Sequence, residues 1–198
     1  DLSGKYIAPG FIELHCHGAV GYEFMDGTKE AYFKICEKHA KHGTKVMYPT
    51  FSAADFDVLA KALETFENVK DELDLEIPGV HLEGPYFALE MSGAQNPKFI
   101  HEPRASEYVP LIEKFGHLIK RWSYAPELDE NSEFVRYLTA HNITPAIAHS
   151  AAEYCHVKEA FENGNRLVTH LYSCTSTITR HGGFRHLGII ESAYLFDD

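Results

Sequence analysis

The sequence predicts an α/β protein built as an incomplete (β/α)8 TIM-type barrel, with about six of the eight strand-helix units of that architecture. Three observations predict it. Short apolar runs alternate with amphipathic stretches at helical spacing along the whole chain. Four of the runs finish in metal-ligating side chains, namely His15 and His17, His81 and Glu83, His149, and His170. Functional groups at the ends of many strands converge only if the strands lie parallel with their carboxyl ends at one mouth, whereas an open doubly wound sheet gathers ligands at one switch point. No G-x-G-x-x-G or Walker sequence follows any run to suggest that open alternative.

The elements follow in order. Residues 6–17 read as a strand entered through the Pro9-Gly10 turn, and 18–26 as a glycine-containing loop. Residues 28–42 read as a helix, because Tyr32, Ile35, Cys36 and Ala40 recur at helical spacing and Gly43 supplies a stop. The next strand is 45–51, and Ser52 reads as the N-cap of a helix to about residue 70 that turns Phe56, Leu59, Ala60, Leu63 and Phe66 inward. Residues 80–83 are a short buried strand, and 84–104 form a loop longer than ordinary connections, which marks it as functional. Then come a helix at 107–115, a strand at 119–125, a helix at 132–141, a strand at 144–149, a helix at 152–163 closed by Gly164, and a strand at 167–171. Residues 173–186 read as a long loop before a last segment to Asp198. A barrel of this kind takes about 250 residues, so the chain reads about two strands short.

Composition bounds the function. With 198 residues, 44% hydrophobic and 24% charged, the chain is long and apolar enough for one domain with a sizeable core. A formal net charge of −11 without basic patches argues against nucleic acid and anionic membranes as partners. No apolar stretch approaches the roughly 20 residues that span a bilayer, and the first residues lack a signal-peptide pattern. Cys16, Cys36, Cys155 and Cys174 show no C-x-x-C spacing and read as reduced thiols, so a cytoplasmic protein is expected.

Successive strand side chains alternate faces, so His15 and His17 point the same way, about 7 Å apart along the chain, close enough to share an ion. Among 13 histidines an H-x-H pair arises easily by chance, and its placement is what gives it weight. Two neutral imidazoles behind an apolar strand are costly unless hydrogen-bonded, and an ion satisfies both. Glu83 lies in the apolar run Gly79-Val80-His81-Leu82-Glu83-Gly84-Pro85, where a carboxylate needs a counter-charge: a divalent cation, or an arginine or lysine in a buried salt bridge. His81 shares its face as a ligand, a substrate contact or, by preference, a support for a ligand from behind. With His149 and His170, Glu83 makes the two-nitrogen, one-oxygen set of hydrolytic zinc sites, and His15 and His17 add a second ion with Glu83 bridging. His39, His42, His117, His141 and His156 fall on predicted helices or their ends and read as solvated. Amide hydrolysis also requires a general acid/base. Glu127 reads rather as a supporting or loop-capping group, and Asp197 and Asp198 as solvated, so the acid is expected on a strand that these 198 residues do not include.

The run Ala8-Pro9-Gly10-Phe11-Ile12-Glu13-Leu14-His15-Cys16-His17-Gly18 resembles the first-strand signature of the amidohydrolase superfamily. Together with Gly79-Val80-His81-Leu82-Glu83-Gly84-Pro85-Tyr86, Gly93-Ala94-Gln95-Asn96-Pro97, Tyr124-Ala125-Pro126-Glu127, Ala148-His149-Ser150 and Thr169-His170-Leu171-Tyr172, it is similar to the N-acetylglucosamine-6-phosphate deacetylase family within that superfamily. The resemblance implies a homodimeric barrel with a small β-domain that hydrolyses N-acetylglucosamine 6-phosphate to glucosamine 6-phosphate and acetate in amino-sugar catabolism. It implies Glu83, His149 and His170 as metal ligands and His15 and His17 as a second site found in some members. One or two divalent ions per subunit are expected, zinc first, with iron, manganese or cobalt as alternatives. Ala94 and Gln95 fall at substrate contacts, Ser173 and Cys174 at backbone contacts to the sugar, and Arg180, with His181 one residue away as the alternative, at the phosphate-binding arginine. Relative to that family the chain reads as truncated at both ends, lacking the small β-domain and the catalytic aspartate, and this fragment alone is expected to be inactive. A deaminase or cyclic amidase of the same superfamily and a non-catalytic barrel are the competing readings.

Overall fold

The computed structural model describes residues 3–196, so Asp197 and Asp198 lie outside the described residues. The predicted β units form one six-stranded sheet of β1 (Phe11–Cys16), β4 (Thr44–Phe51), β5 (Val80–Glu83), β6 (Ile119–Tyr124), β7 (Thr144–Ile147) and β8 (Leu167–Val168). Two-residue β2 (Gly18–Ala19) and β3 (Tyr22–Glu23) pair with each other in the first loop. The spatial order is β1-β4-β5-β6-β7-β8 and every pair is parallel, which makes a curled half-barrel with its strand ends at one mouth. Helices α1 (Lys29–Ala40), α2 (Phe56–Val69), α3 (Ala105–Phe115), α4 (Glu133–Ala140) and α5 (Tyr154–Glu162) connect them, and α6 (Ile189–Ala193) follows β8. No described helix is long and apolar enough to cross a membrane.

Period-two alternation sorts the side chains. On β6, Trp122 and Tyr124 are buried in the main core with Phe51, Leu82, Tyr86 and Phe134, while Arg121 and Ser123 face the polar interior of the curl. Trp122 lies parallel to Tyr86, with ring centroids 5.9 Å apart, and its indole nitrogen donates to the carbonyl of Gly84 at 2.9 Å. A smaller cluster of Ile147, Ala152, Val157, Ala160 and Ile189 lies against α5 and α6.

Several local readings are corrected. The first strand begins at Phe11 rather than Tyr6, and Phe11, Ile12 and Leu14 are exposed, because β1 is an edge of the sheet with one described neighbour. The N-cap position of α2 belongs to Asp55, and Ser52 instead places its hydroxyl 3.0 Å from Nδ1 of His17. Residues 173–186 are not all loop, since β9 (Thr179–His181) and β10 (Phe184–His186) make an antiparallel hairpin. Gly182 and Gly183 turn it with φ of 57° and 84°, the paired positive values of a type I′ turn. Of the histidines read as solvated, His39 and His156 are half-buried: His39 contacts Cys16 Sγ at 3.4 Å and His156 Nδ1 accepts from the Glu153 amide at 3.1 Å.

Asp129, buried ahead of α4, accepts from the amides of Phe134 at 2.8 Å and Val135 at 2.9 Å. Those are orphan donors of the first helical turn. Asp129→Ala is expected to cost about 1–2 kcal/mol, the upper range for losing a capping side chain, read as a shift in urea midpoint at unchanged m-value.

Candidate metal centre

Glu83 ends β5, is 2% exposed, and has four of the five strand-end histidines, all but His81, around its carboxylate. Oε1 faces Nε2 of His170 at 2.9 Å, of His149 at 3.3 Å and of His15 at 3.6 Å, while Oε2 faces Nε2 of His17 at 2.9 Å. The predicted ligands are thus brought to one point, and the two sets read separately from the sequence share Glu83. His149 and His170 lie just beyond their strands with φ of 45° and 37°, left-handed values rare outside glycine, and this backbone turn carries the side chains into the mouth.

The hydrogen bonds behind the rings fix which nitrogen faces inward. His149 Nδ1 lies 2.8 Å from the Met91 carbonyl and His170 Nδ1 3.0 Å from that of Ser173. A carbonyl only accepts, so Nδ1 carries the proton and a neutral ring aims its bare Nε2 at the carboxylate. Lone pair would then meet lone pair at these distances unless positive charge lies between. Burial by itself raises the Glu83 carboxyl, but the contacts from His149, His17 and His170 outweigh it and hold the group well below the usual carboxylate range. Protonating every ring would overcompensate one carboxylate. Burial in fact pushes His15 down to about 4 against the pull of Glu83, and its buried Nδ1 has no hydrogen-bond partner among the described residues. His170 is raised by its hydrogen bond to Glu83. A divalent ion supplies such a positive charge, and donor atoms of His15, Glu83 and His170 lie within 4.8 Å of one another, close enough to share one.

His81 is not turned toward the ion position. It is fully buried, and its Nδ1 accepts from Arg121 Nη2 at 2.8 Å, because guanidinium only donates. Nε2–H therefore donates to Ser123 Oγ at 2.7 Å, which lies 2.9 Å from Thr169 Oγ1. Burial first, and Arg121 second, lower His81 well below its ordinary value, so it stays neutral. Arg121 also donates to the carbonyl of Leu14, joining β6 to the strand that carries His15 and His17. Sequence reasoning missed Arg121, Ser123 and Thr169; their signal was polarity at alternate positions inside otherwise apolar strands.

The remaining predicted residues divide. Gln95 is buried, donates from Nε2 to Glu83 Oε2 at 2.9 Å and accepts the Ala53 amide at 2.9 Å, so its amide clamps the carboxylate. Ala94 is exposed beside it. Gly93 allows this loop to close, since a β-carbon there would stand 2.5 Å from Cys174 Sγ and 3.3 Å from His149 Cε1. Ser173 and Cys174 follow His170; the Ser173 carbonyl accepts from the His170 ring and the Cys174 carbonyl from the Ser150 amide at 3.1 Å. Arg180 is exposed on β9 and shares no hydrogen bond with the Glu83 cluster among the described residues. Glu127 caps a turn, accepting from Ser150 Oγ at 2.5 Å and the Ala151 amide at 2.6 Å, with its pKa raised by burial.

Known proteins are similar to the chain in sequence and fold. The chain is 29% identical over 180 residues to N-acetylglucosamine-6-phosphate deacetylase of Danio rerio, covering 87% of this chain and 44% of that one. It is 27% identical over 175 residues to N-acetylgalactosamine-6-phosphate deacetylase of Escherichia coli O157:H7, covering 87% and 46%. The solved N-acetylglucosamine-6-phosphate deacetylase of Thermotoga maritima superposes with a TM-score of 0.81 at 25% identity, covering 96% of this chain and 49% of that one. The chain therefore spans about half the length of the curated relatives it matches. The amidohydrolase family profile matches residues 6–195, nearly the whole chain, and with a half-barrel whose strand ends deliver four histidines to one glutamate, the chain belongs to the amidohydrolase family.

Proposed function

We propose that this chain carries the metal centre of a hydrolase that removes the acetyl group from N-acetylglucosamine 6-phosphate, giving glucosamine 6-phosphate and acetate. The observation that carries the reading is the convergence of four imidazole Nε2 atoms on the buried Glu83 carboxylate. Glu83, His149 and His170 would hold one divalent ion, zinc by preference, and His15 and His17 a second. When bound, the metal supplies acidity to a water and polarises an amide carbonyl. Met91 and Ser173 hold His149 and His170 in the tautomer that leaves Nε2 bare, and Gln95 fixes the plane of the carboxylate. His81, kept neutral by burial and Arg121, adds no positive charge beside the centre. Ala94, Gln95 and the Ser173-Cys174 backbone would line the sugar, and Arg180 would take the phosphate dianion through paired donors.

Leaving nitrogen must receive a proton, and Glu127 is committed to Ser150 and Ala151. The acid is assigned to an aspartate outside these 198 residues, within a homodimeric cytoplasmic enzyme that also carries a small β-domain. The four free cysteines support a reducing compartment.

Acetate release from N-acetylglucosamine 6-phosphate tests the reading. The zinc-loaded 198-residue chain is expected to show none above background, and a version extended through the further strands to show turnover that Glu83→Ala abolishes. Turnover by the short chain would overturn the assignment of the acid. Activity of the extended protein on adenine or dihydropyrimidines alone, or no hydrolysis and no metal at all, would overturn the function.

A further inference from the structure

The β9–β10 hairpin, which begins nine residues after His170, carries a second cluster that does not include Glu83. Its pairing sets Phe184 opposite His181, Arg185 opposite Arg180, and His186 opposite Thr179. Side chains alternate, so Thr179, His181, Phe184 and His186 share one face and the two arginines the other. The histidine face lies on Glu153, the N-cap residue of α5. His181 Nε2 is 2.6 Å from Glu153 Oε1, His186 Nδ1 is 3.3 Å from Oε2, and Thr179 Oγ1 reaches Oε1 at 3.5 Å. The two imidazoles stack at a centroid distance of 3.5 Å and an interplanar angle of 15°.

We propose that Glu153, His181 and His186 form a second zinc site, a clasp that fastens the hairpin to the start of α5. Two nitrogens and a carboxylate oxygen from two separate elements lie within 4.8 Å of one another, a set that suits zinc with water in the fourth position. Bonds of about 2.0–2.1 Å put tetrahedral ligand atoms about 3.3 Å apart, the spacing of the His186 contact, so for one ion to sit here the His181 contact must lengthen and the stacked rings must tilt apart. The side chains are 58%, 32% and 29% exposed for His181, His186 and Glu153, which lets an ion and its water enter without unfolding. Positive charge on both stacked rings is repulsive, and one cation held between their in-plane lone pairs, with the rings splayed out of the stack, replaces it. The hairpin also needs a fastening: three residue pairs are marginal alone, and Arg180 opposite Arg185 repel each other across the ribbon.

The test uses zinc chloride alone. After equilibrium dialysis, elemental analysis is expected to find one zinc fewer per chain in His186→Ala than in the wild type, and one zinc retained in Glu83→Ala, whose strand-end site is gone. Trypsin cuts after Arg180 and Arg185. Zinc at about ten times its dissociation constant should slow cleavage there about tenfold, because binding to the closed form suppresses opening by that factor. His186→Ala should lose this protection and Glu83→Ala keep it. Equal zinc content in His186→Ala and wild type overturns the clasp. This substitution of a half-buried hairpin residue decides the matter even if Glu83→Ala fails to fold.

Discussion

Glu83→Ala is expected to remove one or two metal equivalents from the protein, with the loss read by elemental analysis after dialysis against zinc. The effect should exceed the roughly 10–100-fold loss of affinity that follows removal of a supporting hydrogen bond, because Glu83 is the group to which His15, His17, His149 and His170 all point. Glu83→Gln separates charge from shape. Its amide fills the same space and can still meet Gln95, yet it offers no negative charge to a cation, so it too should fail to hold metal at the strand ends. Zinc raises the melting temperature of a protein that binds it only when folded. In both variants the part of that rise due to the strand-end site should vanish, and retention of wild-type stoichiometry would remove Glu83 from the metal centre.

The largest effect on stability is expected at Trp122. It is fully buried, stacks on Tyr86, meets Phe134 edge-on with centroids 5.3 Å apart, and donates to the Gly84 carbonyl. Truncation to alanine opens a cavity costing about 3–5 kcal/mol and leaves a buried carbonyl unpaired for about 1–3 kcal/mol more. Against a total of about 5–15 kcal/mol, that takes most of the stability of an ordinary domain and lowers the melting temperature by about 10–20 °C. Trp122→Phe keeps aromatic packing and loses the hydrogen bond, so about 1–3 kcal/mol is expected. Circular dichroism during urea unfolding is the measurement, since this is the chain's one tryptophan and its fluorescence disappears with it. The loss should reach the site as well, because Gly84 directly follows Glu83. A difference under about 1 kcal/mol for alanine would mean that the core closes over the gap.

Much of the fold was legible because strands buried on their helix-facing side advertise themselves as apolar runs. Val80, Leu82 and the surrounding glycine and proline announce β5, and Tyr32, Ile35 and Cys36 announce α1. The ligands were legible for the converse reason, since a glutamate or histidine amid such runs demands explanation. Local competition was not legible. Ser52 looks like a helix cap by type and position, and only the nearness of His17, 35 residues earlier in the chain, shows where its hydroxyl goes. Nor does sequence tell an exposed loop from a hairpin when the turn is glycine and the strands are polar, as in residues 179–186. The role of His81 depended on Arg121, its neighbour across the β5–β6 register, which no spacing within one strand reveals. Gln95 likewise reads as a loop residue until the loop folds back under Glu83.

The left-handed backbone at His149 and His170 places two demands on each position. Geometry favours glycine, asparagine, aspartate and histidine, while coordination favours histidine, aspartate, glutamate and cysteine. The overlap is histidine and aspartate. Neutral drift through either position therefore has a narrow corridor, and a redesign that swaps in a chemically sound ligand such as cysteine or glutamate would be charged twice, once for the altered donor and again for the backbone it has to bend.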